Sequence, residues 1–367
     1  MRLAILGTRG IPARYGGFET LAEELSARLA ARGHHVTVYT RKRYAEPGLS
    51  SWRGAHVRVL PTIATKYLDT VVHGLLSCVH AAFARYDAVL VCNAINALFC
   101  FLPRLRGGTR VVLNVDGLER NRRKWSAVGK WAYGVSERLS MVIPDAVVSD
   151  AEVIRNYYRG RYGFDSTFIP YGADLPRPTG AGTLKRLGLQ PEQYVLYVSR
   201  LEPENNAEAV VTAYRGVPGK APLVVVGDAP YAAEYIARVK HFADRRVIFL
   251  GALYGEGYRQ LLANAGVYVQ ATEVGGTHPA LVEALGYGRV VCYHRSPENE
   301  EVAGGAGLPF DAHRPETLTR VLTEVLDAPE AASVWKERAR LRAAERYRWE
   351  DVTNKYEALL EGRPRIP

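Results

Sequence analysis

Residues 267–285 read VYVQATEVGGTHPALVEAL, and this stretch decides the fold. Val267 to Gln270 is a short β-branched and aromatic run, the composition of a buried strand. Gly275, Gly276 and Thr277 follow and let the chain turn tightly. Pro279 stands at the start of a helix, where its fixed φ is already helical and its missing N–H costs nothing. Leu281, Val282, Ala284 and Leu285 then give that helix an apolar body. Strand, glycine turn and helix in direct succession make one βα unit of a parallel sheet. The backbone N–H groups of Gly276, Thr277, His278 and Ala280 open the helix and would face a phosphate, favoured by the positive end of the helix dipole. Glu283 lies about one turn further in. An idle carboxylate is costly in that apolar stretch, and Glu283 is suited to accept hydrogen bonds from ribose hydroxyls.

The same alternation runs outward in both directions. Strand candidates in the first half are residues 2–6, 35–39, 57–60, 88–92, 110–114 and 146–149. Helical stretches lie between most of them, notably 18–32, 67–85 and 125–141. Phe18, Leu21, Ala22, Leu25 and Leu29 share one face of the first helix, which Gly33 stops. A loop-like break rich in Pro and Gly covers 170–182. The pattern restarts with strands at 194–198, 222–226, 247–250, 267–270 and 290–293, and closes with helices at 331–347 and 349–360. Continuous apolar strands alternating with helices predict doubly wound parallel sheets. The expected layout is an α/β fold of two Rossmann-like domains, 1–172 and 173–348, facing across a cleft, with a last helix at about 349–362 returning to the first domain.

The chain has 367 residues, enough for two cores, and is 47% hydrophobic and 23% charged, which excludes a mainly disordered chain. Its net charge of +10 predicts an anionic partner: nucleic acid, an acidic membrane face or a phosphorylated substrate. The four cysteines, Cys78, Cys92, Cys100 and Cys292, form no CxxC pair and sit in apolar runs, so they read as core residues in a reducing compartment. No paired-Asp metal motif appears; Asp150 and Glu152 flank Ala151 at a helix start, where capping is the better reading. The first residues, MRLAILG, lack the pattern of a signal peptide, and the longest uncharged run, 88–103, is too short to span a bilayer. A cytoplasmic protein, in at most peripheral contact with a membrane, is expected.

Three further segments follow strands. The first is GTRGIPARYGG at 7–17, whose glycines permit close approach to a ligand and whose Arg9 and Arg14 add charge. Its spacing is not GxGxxG, which counts against a nicotinamide dehydrogenase. The second carries Asp116 and Glu119 at a strand end, able to orient a sugar hydroxyl or to cap a helix. It runs into Arg120, Arg122, Arg123, Lys124, Trp125, Lys130 and Trp131, which suit either lipid phosphates or a solvated helix face. The third places Arg200 after the strand 194–198, where a guanidinium can pair with a diphosphate.

At these four segments the chain resembles the group-4 (GT4) retaining glycosyltransferases, and among them a rhamnosyltransferase-like subgroup. The resemblance rests on residues 7–20 (GTRGIPARYGGFET), on Asp116 to Glu119 with Lys124 to Ser126, on Pro203 to Asn206, and on Val274 to Thr277 with Pro279 and Glu283. It implies a GT-B fold, with the acceptor mainly on the first domain and the donor mainly on the second. By the resemblance, the donor contacts are Gly16, Gly17, Arg200, Gly227, Asp228, Gly275, Gly276, Thr277, His278, Pro279, Ala280 and Glu283. Acceptor or sugar contacts fall on Arg9, Arg14, Tyr15, Asp116, Glu119 and Glu273, and the catalytic candidates are Asp116 and Arg200. The group needs no bound metal and no cofactor: positive groups and helix dipoles stabilise the leaving diphosphate. Retention is explained by attack on the donor's front face, with the leaving phosphate taking the acceptor proton.

The implied activity moves a sugar, rhamnose from dTDP-rhamnose in the leading reading, onto a lipid-linked saccharide for cell-surface polysaccharide. The chain departs from the wider group at Gly275, where a glutamate is usual, and at Asn205 and Asn206, where a lysine is. It departs from the subgroup at Arg120, His278, Thr272 and Glu273. Two alternatives stay open: a hexosyltransferase using a UDP-sugar, and a non-catalytic protein that binds nucleotides or anionic polymers. Nucleic acid is not the expected partner.

Overall fold

The structure is a computed structural model that describes residues 1–14, 16–65, 68–105, 107–117, 126–174, 180–229 and 231–363. The chain divides into two compact units, one formed by Met1–Tyr171 with the chain from Trp349, the other by Gly172–Arg348.

In the first unit the described elements run β1 (Arg2–Leu6), α1 (Gly17–Ala31), β2 (His35–Arg41), β3 (Ser51–Trp52), β4 (Ala55–Leu60), α2 (Leu68–Ala84), β5 (Ala88–Cys92), β6 (Arg110–Asn114), α3 (Ala127–Ser140), β7 (Ala146–Ser149), α4 (Glu152–Tyr162) and β8 (Thr167–Phe168). The sheet order is β3-β4-β2-β1-β5-β6-β7-β8, and every pairing is parallel except the β3–β4 hairpin. Leu3, Ala4, Ile5 and Leu6 are all buried, as a strand covered on both faces requires. Leu3 and Ile5 pack on α1 through Leu21, Leu25 and Leu29. Ala4 and Leu6 face the other core, with Cys78 and Ala81 of α2 and Ile154 and Tyr158 of α4. All four cysteines are buried and unbonded.

The second unit contains α5 (Gly182–Leu187), β9 (Val195–Val198), α6 (Ala207–Arg215), β10 (Leu223–Val226), α7 (Ala233–His241), β11 (Val247–Gly251), α8 (Gly255–Asn264), β12 (Val267–Gln270), α9 (Pro279–Gly286), β13 (Val290–His294), α10 (Pro297–Ala303), β14 (Leu308–Phe310), α11 (Pro315–Asp327) and α12 (Pro329–Arg346). Its sheet is wholly parallel, in the order β11-β10-β9-β12-β13-β14. The chain starts at β9 in the middle, builds outward to β11, then returns to β12 on the other side of β9. Val195, Tyr197 and Val269 serve one core while Leu196, Val224 and Tyr268 serve the other, the period-2 alternation of a strand buried on both faces.

The last helix, α13 (Trp349–Leu360), packs on the first unit beside α1. Tyr356 is fully buried, and its hydroxyl accepts a hydrogen bond from Asn114 Nδ2 at 2.7 Å. Arg110 Nε donates to the Leu359 carbonyl at 2.5 Å, and Glu357 holds Arg32 at 2.6 Å and His34 at 2.7 Å. Among the described residues no helix is long and apolar enough to cross a membrane.

Asp150 directly precedes the cap residue of α4. The cap position is Ala151, with no side-chain cap hydrogen bond, and Asp150 is buried one residue earlier. The strands β3, β8 and β14 are additions to those expected from the sequence.

Because the Tyr356 hydroxyl is the acceptor of a buried amide, Tyr356→Phe is expected to cost about 1–3 kcal/mol. Urea unfolding should show a lower midpoint at unchanged slope; an unaltered midpoint would contradict the role given to this bond.

Candidate functional site

The chain reversal in the second unit marks the site. β9 and β12 are neighbours in the sheet, yet the helices that follow them start the two opposite windings, so their loops part at the carboxyl edge. Such a switch point is where doubly wound sheets receive ligands. The β9 loop carries Arg200 and the β12 loop, residues 271–278, leads into α9. Hydrogen bonds tie the two loops together. The Glu273 N–H donates to the Glu204 carbonyl at 3.0 Å, and Asn206 Nδ2 donates to the Ala271 carbonyl and to Glu273 Oε1, both at 2.9 Å. Asn206 has φ +57, a left-handed conformation that asparagine tolerates better than most side chains. Within the β9 loop, buried Asn205 donates to the Arg200 carbonyl at 2.6 Å, and its own carbonyl accepts from the Tyr197 hydroxyl at 2.6 Å. The Arg200 guanidinium lies 3.5 Å from Glu202, whose buried carboxylate also receives the Tyr231 hydroxyl.

The glycine turn is built as its sequence requires. A Cβ on Gly275 would meet the imidazole of His278, so that ring lies over the Gly275 backbone. His278 is the cap residue of α9 and makes no side-chain cap hydrogen bond, and Pro279 opens the helix. Thr277 is buried. Glu283 is half-buried and accepts a hydrogen bond from the Tyr258 hydroxyl of α8 at 2.5 Å. Burial, and then the charge of Glu283, pushes the Tyr258 phenol well above its ordinary range. At the end of β10, Gly227 has φ +145, and a Cβ there would run into the Ser199 carbonyl. Only glycine lets β10 end so close to the β9 loop. The neighbouring Asp228 accepts from the Ala229 N–H at 2.8 Å.

Sequence reasoning missed two histidines here. Glu273, His294 and His313 come from successive strand ends, and their ligand-type atoms all lie within 4.8 Å of one another. His313 Nε2 is 3.3 Å from Glu273, and the Ala312 N–H donates to His294 Nδ1 at 3.0 Å. A neutral imidazole that accepts at Nδ1 carries its proton on Nε2, so in that state His294 offers a donor and no second lone pair. Burial, the largest cause, lowers the pKa of His294 and favours the neutral ring. A donor of this kind suits the fixing of a carboxylate better than the ligation of a cation. The other such grouping among the described residues, His34, Glu357 and Glu361, lies where α13 joins the first unit.

In the first unit, β1 and β5 flank a second reversal, and the 7–17 loop leaves it. Gly7 and Gly10 have φ +91 and +115, and Cβ atoms there would strike the Cys92 carbonyl and the Thr40 side chain. The loop is held by carboxylates from α1: the Arg9 N–H donates to Glu19 at 2.7 Å and the Ala13 N–H to Glu23 at 2.6 Å. The Arg9 guanidinium stacks over Tyr44 at 4.9 Å, and Arg14 pairs with Glu46. Gly16 is the cap residue of α1 and Gly17 its first residue. A buried pair, Arg41 and Asp69 at 2.5 Å, lies beside this loop, with Arg41 Nε donating to the Thr8 carbonyl at 3.1 Å.

Asp116 follows β6 with φ +57, and its N–H donates to Asn114 Oδ1 at 2.9 Å. Asn114 thus holds Asp116 with one end of its amide and Tyr356 with the other. Tyr15, Glu119 and the stretch from Arg120 to Trp125 lie outside the described residues. Lys130 and Trp131 are exposed on α3.

With this geometry in hand, the chain can be set beside known proteins. Residues 16–172 match the family Glycosyl transferase 4-like domain, and residues 185–342 match Glycosyl transferases group 1. A GDP-mannose-dependent monoacylated alpha-(1-6)-phosphatidylinositol monomannoside mannosyltransferase from Corynebacterium glutamicum is 25% identical over 293 residues, covering 73% of this chain and 74% of that protein. Sucrose-phosphate synthase from Thermosynechococcus elongatus superposes with a TM-score of 0.82 at 19% identity, covering 98% of both chains. Anabaena HepE in complex with UDP and glucose gives 0.79 at 16% identity, covering 99% of this chain and 100% of that one. These likenesses agree with the two parallel-sheet units in showing a GT-B fold. The chain is a glycosyltransferase with domains of the GT4 kind, a Glycosyl transferase 4-like domain followed by a Glycosyl transferases group 1 domain.

Proposed function

We propose that the switch point of the second unit binds a nucleotide-diphosphate sugar and that the enzyme transfers the sugar with retention to a saccharide on a lipid carrier. The observation that carries this reading is the joining of the β9 and β12 loops by Asn206 and Glu273, which sets Arg200 and the start of α9 on one sheet edge. Arg200 and the backbone N–H groups of Gly275, Gly276, Thr277, His278 and Ala280 hold the diphosphate. Glu283, already oriented by Tyr258, accepts the ribose hydroxyls. Gly227 and Asp228 complete the donor contacts on this unit, and Pro279 fixes the start of the helix.

In the transfer step the bond between sugar C1 and the diphosphate oxygen breaks. The acceptor hydroxyl attacks C1 from the same face and gives its proton to the departing diphosphate. Arg200 and the α9 dipole take up the developing negative charge without a metal ion. Asp116, Arg9, Arg14, Tyr15, Glu119 and Glu273 serve the sugar and acceptor. The preferred donor is dTDP-rhamnose, on the resemblance carried by residues 7–20; a UDP-hexose is the second reading, favoured by the UDP found in Anabaena HepE. A lipid-linked acceptor places the enzyme at the inner face of the cell membrane.

A nucleoside diphosphate that binds the folded chain stabilises it by about 2.7 kcal/mol at roughly 100 times its Kd. dTDP is therefore expected to raise the melting temperature more than UDP or GDP, and dTDP-rhamnose to be turned over. Turnover of UDP-glucose without turnover of dTDP-rhamnose would reject the sugar, and no shift with any diphosphate would reject the donor site.

Glu283→Gln keeps an oxygen for the Tyr258 hydroxyl but loses the charge. Donor Kd should rise about tenfold, the loss of one charge-assisted hydrogen bond, with little change in melting temperature. Unchanged affinity with a large loss of stability would remove Glu283 from the donor contacts.

A further inference from the structure

The carboxyl edge of the first sheet gathers cations around one tyrosine. β2 ends at Arg41 and runs straight into a 3-10 turn, Lys42–Tyr44. Arg41 turns inward: its guanidinium is buried, pairs with Asp69 and donates to the Thr8 carbonyl. Lys42 and Arg43 turn outward and are exposed, and neither makes an ion pair with a described residue. Tyr44 ends the turn half-buried. Two guanidinium groups lie over its ring, that of Arg43 at 5.0 Å and that of Arg9 at 4.9 Å.

The fold fixes Arg9 from three directions. Its N–H donates to Glu19 at 2.7 Å, and its carbonyl accepts from the Arg41 N–H at 3.0 Å. The Arg41 guanidinium holds the preceding carbonyl, that of Thr8, at 3.1 Å. Stacking on Tyr44 then sets the direction of the Arg9 side chain. The acids on the neighbouring elements are engaged: Glu19 and Glu23 of α1 accept loop N–H groups, Glu46 pairs with Arg14, and Asp69 of α2 pairs with Arg41. Because Arg9 and Arg43 share one ring, their charges stand no more than about 10 Å apart and repel each other. An anion shared by both reverses that repulsion. Phosphate suits it, because a guanidinium fork donates to two of its oxygens and leaves others for the second fork.

The position suits the acceptor. β1 and β5 separate β2 from β6 in the sheet, so the ends of β2 and β6 lie about 14 Å apart. A short saccharide can span that distance, with a phosphate at Tyr44 and its reacting hydroxyl beside Asp116 after β6. We propose that Arg9 and Arg43, gathered on Tyr44, bind a phosphate group carried by the acceptor. This rests on the saccharide-acceptor reading and deepens it by naming a charged subsite. The phosphate belongs to a carrier lipid or to a soluble sugar phosphate, and the test separates the two.

The test is hydrogen–deuterium exchange of the full chain with inorganic pyrophosphate, in the presence of saturating dTDP to fill the donor site. Exchange should slow at residues 7–14 and 41–46. Arg43→Gln, at an exposed position, should raise the pyrophosphate Kd about tenfold at unchanged melting temperature, and Arg9→Gln by a similar factor. Arg43→Lys should recover part of the loss. Farnesyl pyrophosphate that binds more tightly than pyrophosphate, with the same loss in Arg43→Gln, supports the subsite and gives the phosphate to a carrier lipid. Equal affinities, with that loss, support it with a soluble sugar phosphate.

Unchanged exchange at both segments would overturn the proposal. So would an affinity that Arg9→Gln and Arg43→Gln leave alone while Arg200→Gln abolishes it, which would put pyrophosphate in the donor site. Slowed exchange at residues 274–283 with dTDP, alongside either result, would leave the transferase reading standing. Protection of residues 7–14 and 41–46 by pyrophosphate, with no nucleotide bound by the chain, would keep the anion subsite and remove that reading.

Discussion

The hydrogen bonds from Asn206 to the Ala271 carbonyl and the Glu273 carboxylate hold together two loops that the sheet topology drives apart. β9 and β12 are adjacent, but the helices after them begin opposite windings, so nothing in the sheet itself fixes the gap between their ends. The gap becomes a defined site only because side chains bridge it. Asn206 can bridge because it accepts a left-handed backbone, and Glu273 can be bridged because His313 and the β9 loop hold it as well. The position and direction of Arg200 and of the α9 start follow from this arrangement. A site organised this way costs little reorganisation when an anion arrives, which is the general source of electrostatic stabilisation in enzymes.

The first unit solves a related problem with charge. Its 7–17 loop turns N–H groups inward, and Glu19 and Glu23 from the first turns of α1 accept them. Glu19, in the first turn, also favours the helix, because an acid at a helix N-terminus complements its dipole. At the other end of the chain, α13 reaches the strand edge through Tyr356, Asn114 and Asp116 in series. The conformation of a candidate catalytic residue is thereby tied to the last helix of the protein.

Much of this was legible in the sequence, for local reasons. Central strands such as Leu3 to Leu6 and Val267 to Gln270 are continuous apolar runs because both of their faces are covered, and that pattern stands alone. The Gly275–Glu283 turn was legible because glycine, proline and a misplaced carboxylate are each local signals. β3, β8 and β14 were not, since two or three residues carry no period, and Leu308-Pro309-Phe310 contains a proline that argues against a strand. Tyr258, His294 and His313 left no mark because their significance lies in partners on other strands and helices. The sequence could show that Glu283 needed a partner, but only the fold shows that Tyr258 is one of them.

The central claim is that a nucleoside diphosphate seats on the β9 and β12 loops of the second unit. Hydrogen–deuterium exchange with and without the diphosphate tests it most directly. Slowed exchange at residues 199–206 and 274–283 is the predicted result. Slowed exchange elsewhere, with both of these segments unchanged, would contradict the account.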